Sequence, residues 1–294
     1  MVNQGCEFML RHDNKIGNCT YYVSGNFSFA RNHYTYIDES ANAYEWEIKT
    51  GRPINFITGY IADGIARTDE DLAGLPLYNG GFEWSKGDII LKDIHGAGGV
   101  GGPDGVVDGN DQAVLSLYSK DPEIIYGISL GGEWKGIDFS MFWQGVAKRD
   151  LWLDGPMFWG ISGGEWQSTG LKEHLDYYRP ENTTSVFGPN TNAYFPKMYM
   201  SKDMNQKVQT RYLQNGAYAR LKNIQLGYTF PTQIINKLHM QKLRVYVSAE
   251  NVLTITSLPS GFDPETTYSN YSDGNSGKTY PLQTTISFGL NATF

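Results

Sequence analysis

Apolar and polar side chains alternate without a break along the last thirteen residues. Leu282, Thr284, Ile286, Phe288, Leu290, Ala292 and Phe294 fall on one face, and Gln283, Thr285, Ser287, Gly289, Asn291 and Thr293 on the other. A period of two marks a strand with one apolar face. This segment exceeds the usual globular strand of about 5–6 residues and suits a tilted bilayer crossing of about 9–11. The pattern recurs upstream. Leu243, Val245, Val247, Ala249 and Leu253 alternate with Lys242, Arg244, Tyr246, Ser248 and Glu250, and Ile224, Leu226, Tyr228 and Phe230 with Gln225, Gly227 and Thr229. Ile137, Phe139, Met141 and Trp143 share a face, as do Tyr126, Ile128, Leu130 and Trp134, then Tyr21, Val23, Phe27 and Phe29, and finally Cys6, Phe8 and Leu10. Seven strands are predicted, near residues 4–12, 18–30, 123–135, 136–148, 217–230, 241–254 and 282–294.

The connections alternate strictly between short and long. Short ones lie at Asp13–Gly17, at Lys135-Gly136 and around Pro231–Gln241; long ones cover residues 31–122, 149–216 and 255–281. Outer-membrane barrels have short periplasmic turns and long external loops, so the chain reads as all-β, a partial transmembrane antiparallel β-barrel with long extracellular loops. In that reading the apolar face meets lipid and the polar face lines the lumen; in a soluble sandwich the apolar face would be core. If the last strand ends in the periplasm, seven crossings start the first strand outside the cell. A closed bacterial barrel has an even strand number, so residues 1–294 are expected to be the C-terminal part of a longer wall, without plug or signal peptide. The other solution is a further strand in 31–122, where Asn55–Tyr60 is ambiguous.

Composition narrows the classes. The 294 residues are 40% hydrophobic and 19% charged, with a net charge of -7, so no basic surplus serves a nucleic acid. No apolar run exceeds three residues, which excludes a membrane helix but not alternating strands. Two cysteines make no disulfide framework. With the turn centred near Lys15, Cys6 faces a residue near 24, out of register with Cys19, and both read as free thiols. The five histidines are scattered, with neither HExxH nor GxSxG. Glu165, Glu173 and Asp176 have no fixed spacing for glycoside hydrolysis. No enzyme is indicated.

Several segments carry a resemblance. GCEFMLRHDNKIGNCTYYVSGNFSFARN, KTGRPINFITGYIADGI, PDGVVDGNDQ, IIYGISLGGEWKGIDFSMFWQG, ARLKNIQLGYTFP, LRVYVSAENVLTIT, SGFDPE and YPLQTTISFGLNATF occur in this order between Gly5 and Phe294. Together they resemble the C-terminal part of the SusC/RagA family of TonB-linked outer-membrane transporters. The resemblance implies a large barrel with an N-terminal plug, a TonB contact outside this chain, a SusD-like surface lipoprotein as partner, outer-membrane lipid around the wall, and a glycan or peptide ligand. It also gives Phe294 a part in barrel assembly. The alternative is a soluble or surface-anchored carbohydrate-binding β-protein.

Three groups of residues are candidates for a role. Asp93, Asp104, Asp108 and Asp111 fit parts of a calcium loop, with Gly105 at its turn, although GAGGVGGP divides it and an Asp/Gly turn cluster explains the same residues. Trp152, Trp159, Trp166, Tyr177 and Tyr178 offer rings for stacking on a ligand, or for packing the loop against itself or against a partner. Strict alternation turns Arg220 and Lys222 to the lipid side at the outer end of their strand, where they meet outer-leaflet phosphates or, if the strand extends beyond the membrane, water.

Overall fold

The computed structural model describes residues 1–41, 43–79, 81, 83–160, 170–199, 203–267 and 280–294. Seven strands form one antiparallel sheet in chain order: β1 (Val2–Ile16), β2 (Cys19–His33), β3 (Ile124–Trp134), β4 (Ile137–Ala147), β5 (Tyr218–Thr229), β6 (Lys242–Thr256) and β7 (Thr285–Thr293). Strands β1 and β7 are its two edges.

Register confirms the two-faced pattern. One row runs through Val23, Leu130, Met141, Ile224, Ala249 and Ile286 as partners in successive strands. The neighbouring row runs through Ser24, Ser129, Phe142 and Asn223 to Glu250 and Thr285. The apolar face is uncovered: Phe8, Leu10, Ile128, Leu226, Ile255, Ile286 and Leu290 are exposed, and Phe288 is 85% exposed. Water would penalise so large an apolar belt, whereas hydrocarbon would not. The polar face carries Asp138 and Arg244, which reach each other across β5 at 2.8 Å. Gly227 of β5 leaves the gap for them, since a Cβ there would stand 2.5 Å from both side chains.

The short turns are tight for local reasons. Lys135 and Gly136 both have positive φ, 48° and 86°, the backbone of a type I′ hairpin turn. The β1–β2 turn lies at Gly17-Asn18, with Gly17 at φ 61°, two residues beyond where its polar composition suggested. Asp13, Asn14 and Lys15 resemble a turn but remain paired, opposite Tyr22, Tyr21 and Thr20. Cys6 therefore opposes Phe29 rather than a residue near 24, and both cysteines are free.

The packed core lies outside the wall. It joins Tyr60, Ile65, Ile89, Leu91 and Val107 of the first long connection to Leu151, Leu153, Phe158, Tyr178 and Tyr212 of the second and Leu258 of the third. Phe158 stands edge-on to Phe195, Tyr212 and Phe262, with centroids 5.7, 5.2 and 5.9 Å away. Short sheets stiffen the same region: Ile57–Tyr60 pairs with Gln112–Ser116, and Asp150–Trp152 with Leu213–Asn215. The ambiguous segment at Asn55–Tyr60 thus contains a strand of the loop cap, not an eighth strand of the wall.

Candidate functional site

The loop cap is fastened at the loop end of the wall by two buried arginines. Arg149, two residues beyond β4, donates to Lys120 O at 2.7 Å, Pro264 O at 2.6 Å and Thr267 O at 3.1 Å. One guanidinium, with its donors in a rigid fork, therefore ties all three connections together. Burial among carbonyls holds its pKa below the usual arginine value.

Arg220 occupies the second fastening through a break in β5. Phe142 pairs with Asn223 and Trp143 with Leu221, leaving Lys222 without a partner in β4. On β6 the register jumps at the same place, where Asn251 takes a positive φ of 53°. An extra residue reverses the alternation beyond it. Strict alternation sends Arg220 to lipid; the bulge puts it in register with Gln144 and Thr254 on the polar face. Its side chain is 3% exposed and pairs with Asp263 at 2.8 Å and Glu265 at 2.9 Å. Lys222 also reaches Glu265, at 2.9 Å. The lipid-phosphate role expected of Arg220 and Lys222 is overturned, because both charges hold the third connection inside.

Burial disfavours the charge on Asp263, but Arg220 and the backbone N–H groups of Glu265 and Leu282 outweigh it and keep the carboxyl below the ordinary aspartate range. A carboxyl held low contributes stability above its unfolded pKa, near about 3.9, and loses it as pH falls through the lowered folded value. The third connection of the detergent-solubilised full-length protein should therefore resist proteolysis at pH 5 and open below about pH 4. Asp263→Asn should flatten that acid profile; identical profiles for the two proteins would disprove the linkage.

Concavities open at both ends of the wall. One, of about 610 Å³, is lined by Tyr34, Asp38, Trp46, Glu47, Lys49 and Phe56 of the first connection. The other, of about 740 Å³, lies at the turn end and includes Asp13, Thr20, Tyr22, Glu133 and Asp138. Neither group is marked by a motif in the sequence. The signal for the first was aromatic residues among carboxylates between Tyr34 and Phe56, but spacing alone does not show that they surround a space.

No family model matches the chain. Its relatives include three proteins of Formosa agariphila. TonB-dependent receptor P3 is 24% identical over 315 residues, covering 100% of this chain and 29% of the relative. TonB-dependent receptor P26 is 26% identical over 197 residues, covering 65% of this chain and 19% of the relative. TonB-dependent receptor P39 is 23% identical, covering 94% and 28%. The chain is homologous to TonB-dependent receptors. It spans less than a third of the length of these relatives. Among solved structures, the RagAB peptide transporter superposes with a TM-score of 0.66 at 21% identity, over 99% of this chain and 29% of that one. The RagAB peptide importer in its open-open state gives 0.64 at 20% identity, over 99% and 28%. The fold is that of a portion of this barrel, as the resemblance implied, and its relatives are receptors and transporters rather than enzymes.

Within that barrel the expected ring residues pack the cap. Trp152 is 6% exposed and Tyr178 2%, both within the loop core, and Trp159 and Tyr177 pack against it. Trp152 and Trp159 meet edge-on at 5.9 Å, and Arg179 covers the Tyr177 ring at 4.7 Å. Burial closes Trp152 and Tyr178 to a ligand in this arrangement. Trp166 and Glu165 lie outside the described residues. Asp176 bonds Asn190 Nδ2 at 2.9 Å and Tyr194 N at 3.3 Å.

The four aspartates bond backbone N–H groups around two turns. Asp111 is fully buried and accepts from the N–H groups of Ile94, His95 and Asp108, while Asp93 accepts from those of Asp104 and Gly105. Asp104 accepts from Val106 N and Asp108 from Asn110 N. Among the described residues, no three acidic, histidine or cysteine side chains gather as metal ligands. The motif builds turns by bonding its carboxylates to backbone. Phe294 is exposed beyond the end of β7.

Proposed function

We propose that this chain supplies wall strands and the loop cap of an outer-membrane, TonB-dependent importer. The observation that carries the reading is the uncovered apolar belt opposite a polar face, in a chain homologous to TonB-dependent receptors. A soluble carbohydrate-binding protein would leave that belt facing water. In the proposed orientation the loop end faces outside the cell, β5–β7 contribute to the lumen wall, and exposed Phe294 serves assembly from the periplasmic edge.

The capped end is where a SusD-like lipoprotein would seat, with oligosaccharide or peptide captured between them. The first-loop concavity, with the half-buried Phe56 beside Asp38 and Glu47, offers both an apolar ring and hydrogen-bonding groups. TonB would act through the parts of the receptor beyond this chain. The full-length product should fractionate with the outer membrane, migrate in a heat-modifiable way and co-purify with a surface lipoprotein. Recovery as a folded soluble protein without detergent would refute the reading.

A further inference from the structure

With Arg220 and Lys222 turned inward, a different pair of cations is left at the outer rim. Strand β2 turns Cys19, Tyr21, Val23, Phe27 and Phe29 to the apolar face, in register with Trp134, Gly132, Leu130, Tyr126 and Ile124 of β3. From Cys19 to Phe29 this row spans about 23 Å along the bilayer normal, at roughly 3.3 Å per residue and a tilt near 45°, close to the height of a lipid-facing band, about 25 Å. Arg31 lies two residues beyond its loop end. Lys148 follows β4 and places its ammonium 5.3 Å from the centre of the Phe29 ring and 5.9 Å from that of Tyr118. Because Phe29 belongs to the apolar face, Lys148 stands on that side too.

Both cations lean on one carboxylate. Glu123 is 3.1 Å from Arg31 and 3.6 Å from Lys148, and its side chain is 9% exposed, against 47% and 42% for the two bases. Backbone pairing fixes Glu123 between them: Ala30 N donates to its carbonyl at 2.9 Å, and its own N–H donates to Lys148 O at 3.2 Å. Two positive charges against one negative leave a surplus of one among these three groups, and both bases remain partly exposed. The arrangement is continuous with the belt formed by Val23, Phe27 and Ile128.

We propose that Arg31 and Lys148 hold a phosphate of an outer-leaflet glycolipid whose acyl chains lie on the apolar belt below. Arginine offers a planar fork to phosphate oxygens and lysine a point charge, so the pair suits a phosphomonoester. Glu123 holds the two bases side by side through its ion pairs while no lipid is bound. The site rests on the outer-membrane reading, since it places this rim at the outer leaflet.

The test uses the full-length receptor in detergent, titrated by native mass spectrometry with diphosphoryl lipid A and with its dephosphorylated form. Heat-modifiable migration is checked on the same samples. The wild type should bind the diphosphoryl form more tightly than the dephosphorylated one. An Arg31→Gln/Lys148→Gln variant should lose that preference, with binding roughly tenfold weaker. Glu123→Gln, which removes the competing carboxylate, should tighten it. Equal binding of both lipid forms by a heat-modifiable wild type overturns the site and leaves the barrel standing. A wild type with no heat-modifiable form overturns both.

Discussion

Arg220→Met should release the third connection from the wall and cost the cap about 3–5 kcal/mol. The substitution keeps much of the apolar stem and removes the charge, leaving Asp263 buried beside an uncharged thioether. Asp263 is 8% exposed and would keep only its backbone donors, from Glu265 and Leu282. Glu265 would retain Lys222, so the larger penalty should fall on Asp263. In the full-length protein the readouts are thermal unfolding and proteolysis within residues 257–284. Arg220→Lys should fall between wild type and Met, because an ammonium cannot reproduce bonds to Asp263, Glu265 and Thr254 together. Pairing Arg220→Met with Asp263→Asn should recover part of the loss, since no unpaired charge then remains inside. A Met variant as stable and protease-resistant as wild type would show that the two acids do not depend on this arginine.

The wall was legible because two solvents impose one period. Lipid on one side and water on the other force alternate residues apart, so Leu226 and Gln225, or Ile286 and Ser287, disclose their faces without any partner being known. The errors fall where that rule has a local exception. One extra residue at Lys222 reverses the alternation, and a bulge has no compositional signature that would have warned of it. The polar run from Asp13 to Lys15 looked like a turn because it is hydrophilic, yet it stays in the ladder at the turn end of the wall. In the cap, the rings were visible but their surroundings were not. Whether Trp152 or Tyr178 faces a ligand depends on Tyr60, Phe195 and Leu258, brought together from three separate connections. The aspartates show the same limit: their spacing did not disclose which backbone N–H groups they accept, and the fold does.

The outer face itself can be tested at Ile128, near the middle of β3, in a way that separates membrane from water. Ile128 is 43% exposed, and its register partners are Gly25 and Trp143. In a soluble sheet with this face open to solvent, Ile128→Arg would be almost neutral, because surface substitutions usually stay within about 0.5 kcal/mol. In a bilayer the guanidinium would stand in hydrocarbon at mid-depth, and the penalty rises to about 2–4 kcal/mol. The adjacent Ser129 points to the polar face, so Ser129→Arg supplies the matched control: the same added charge, one residue along, on the lumen side. Reversible denaturation of the full-length protein in lipid vesicles should show a large loss for Ile128→Arg and a small change for Ser129→Arg. Near-equal effects would deny that the two faces meet different solvents, and the barrel reading would fall with them.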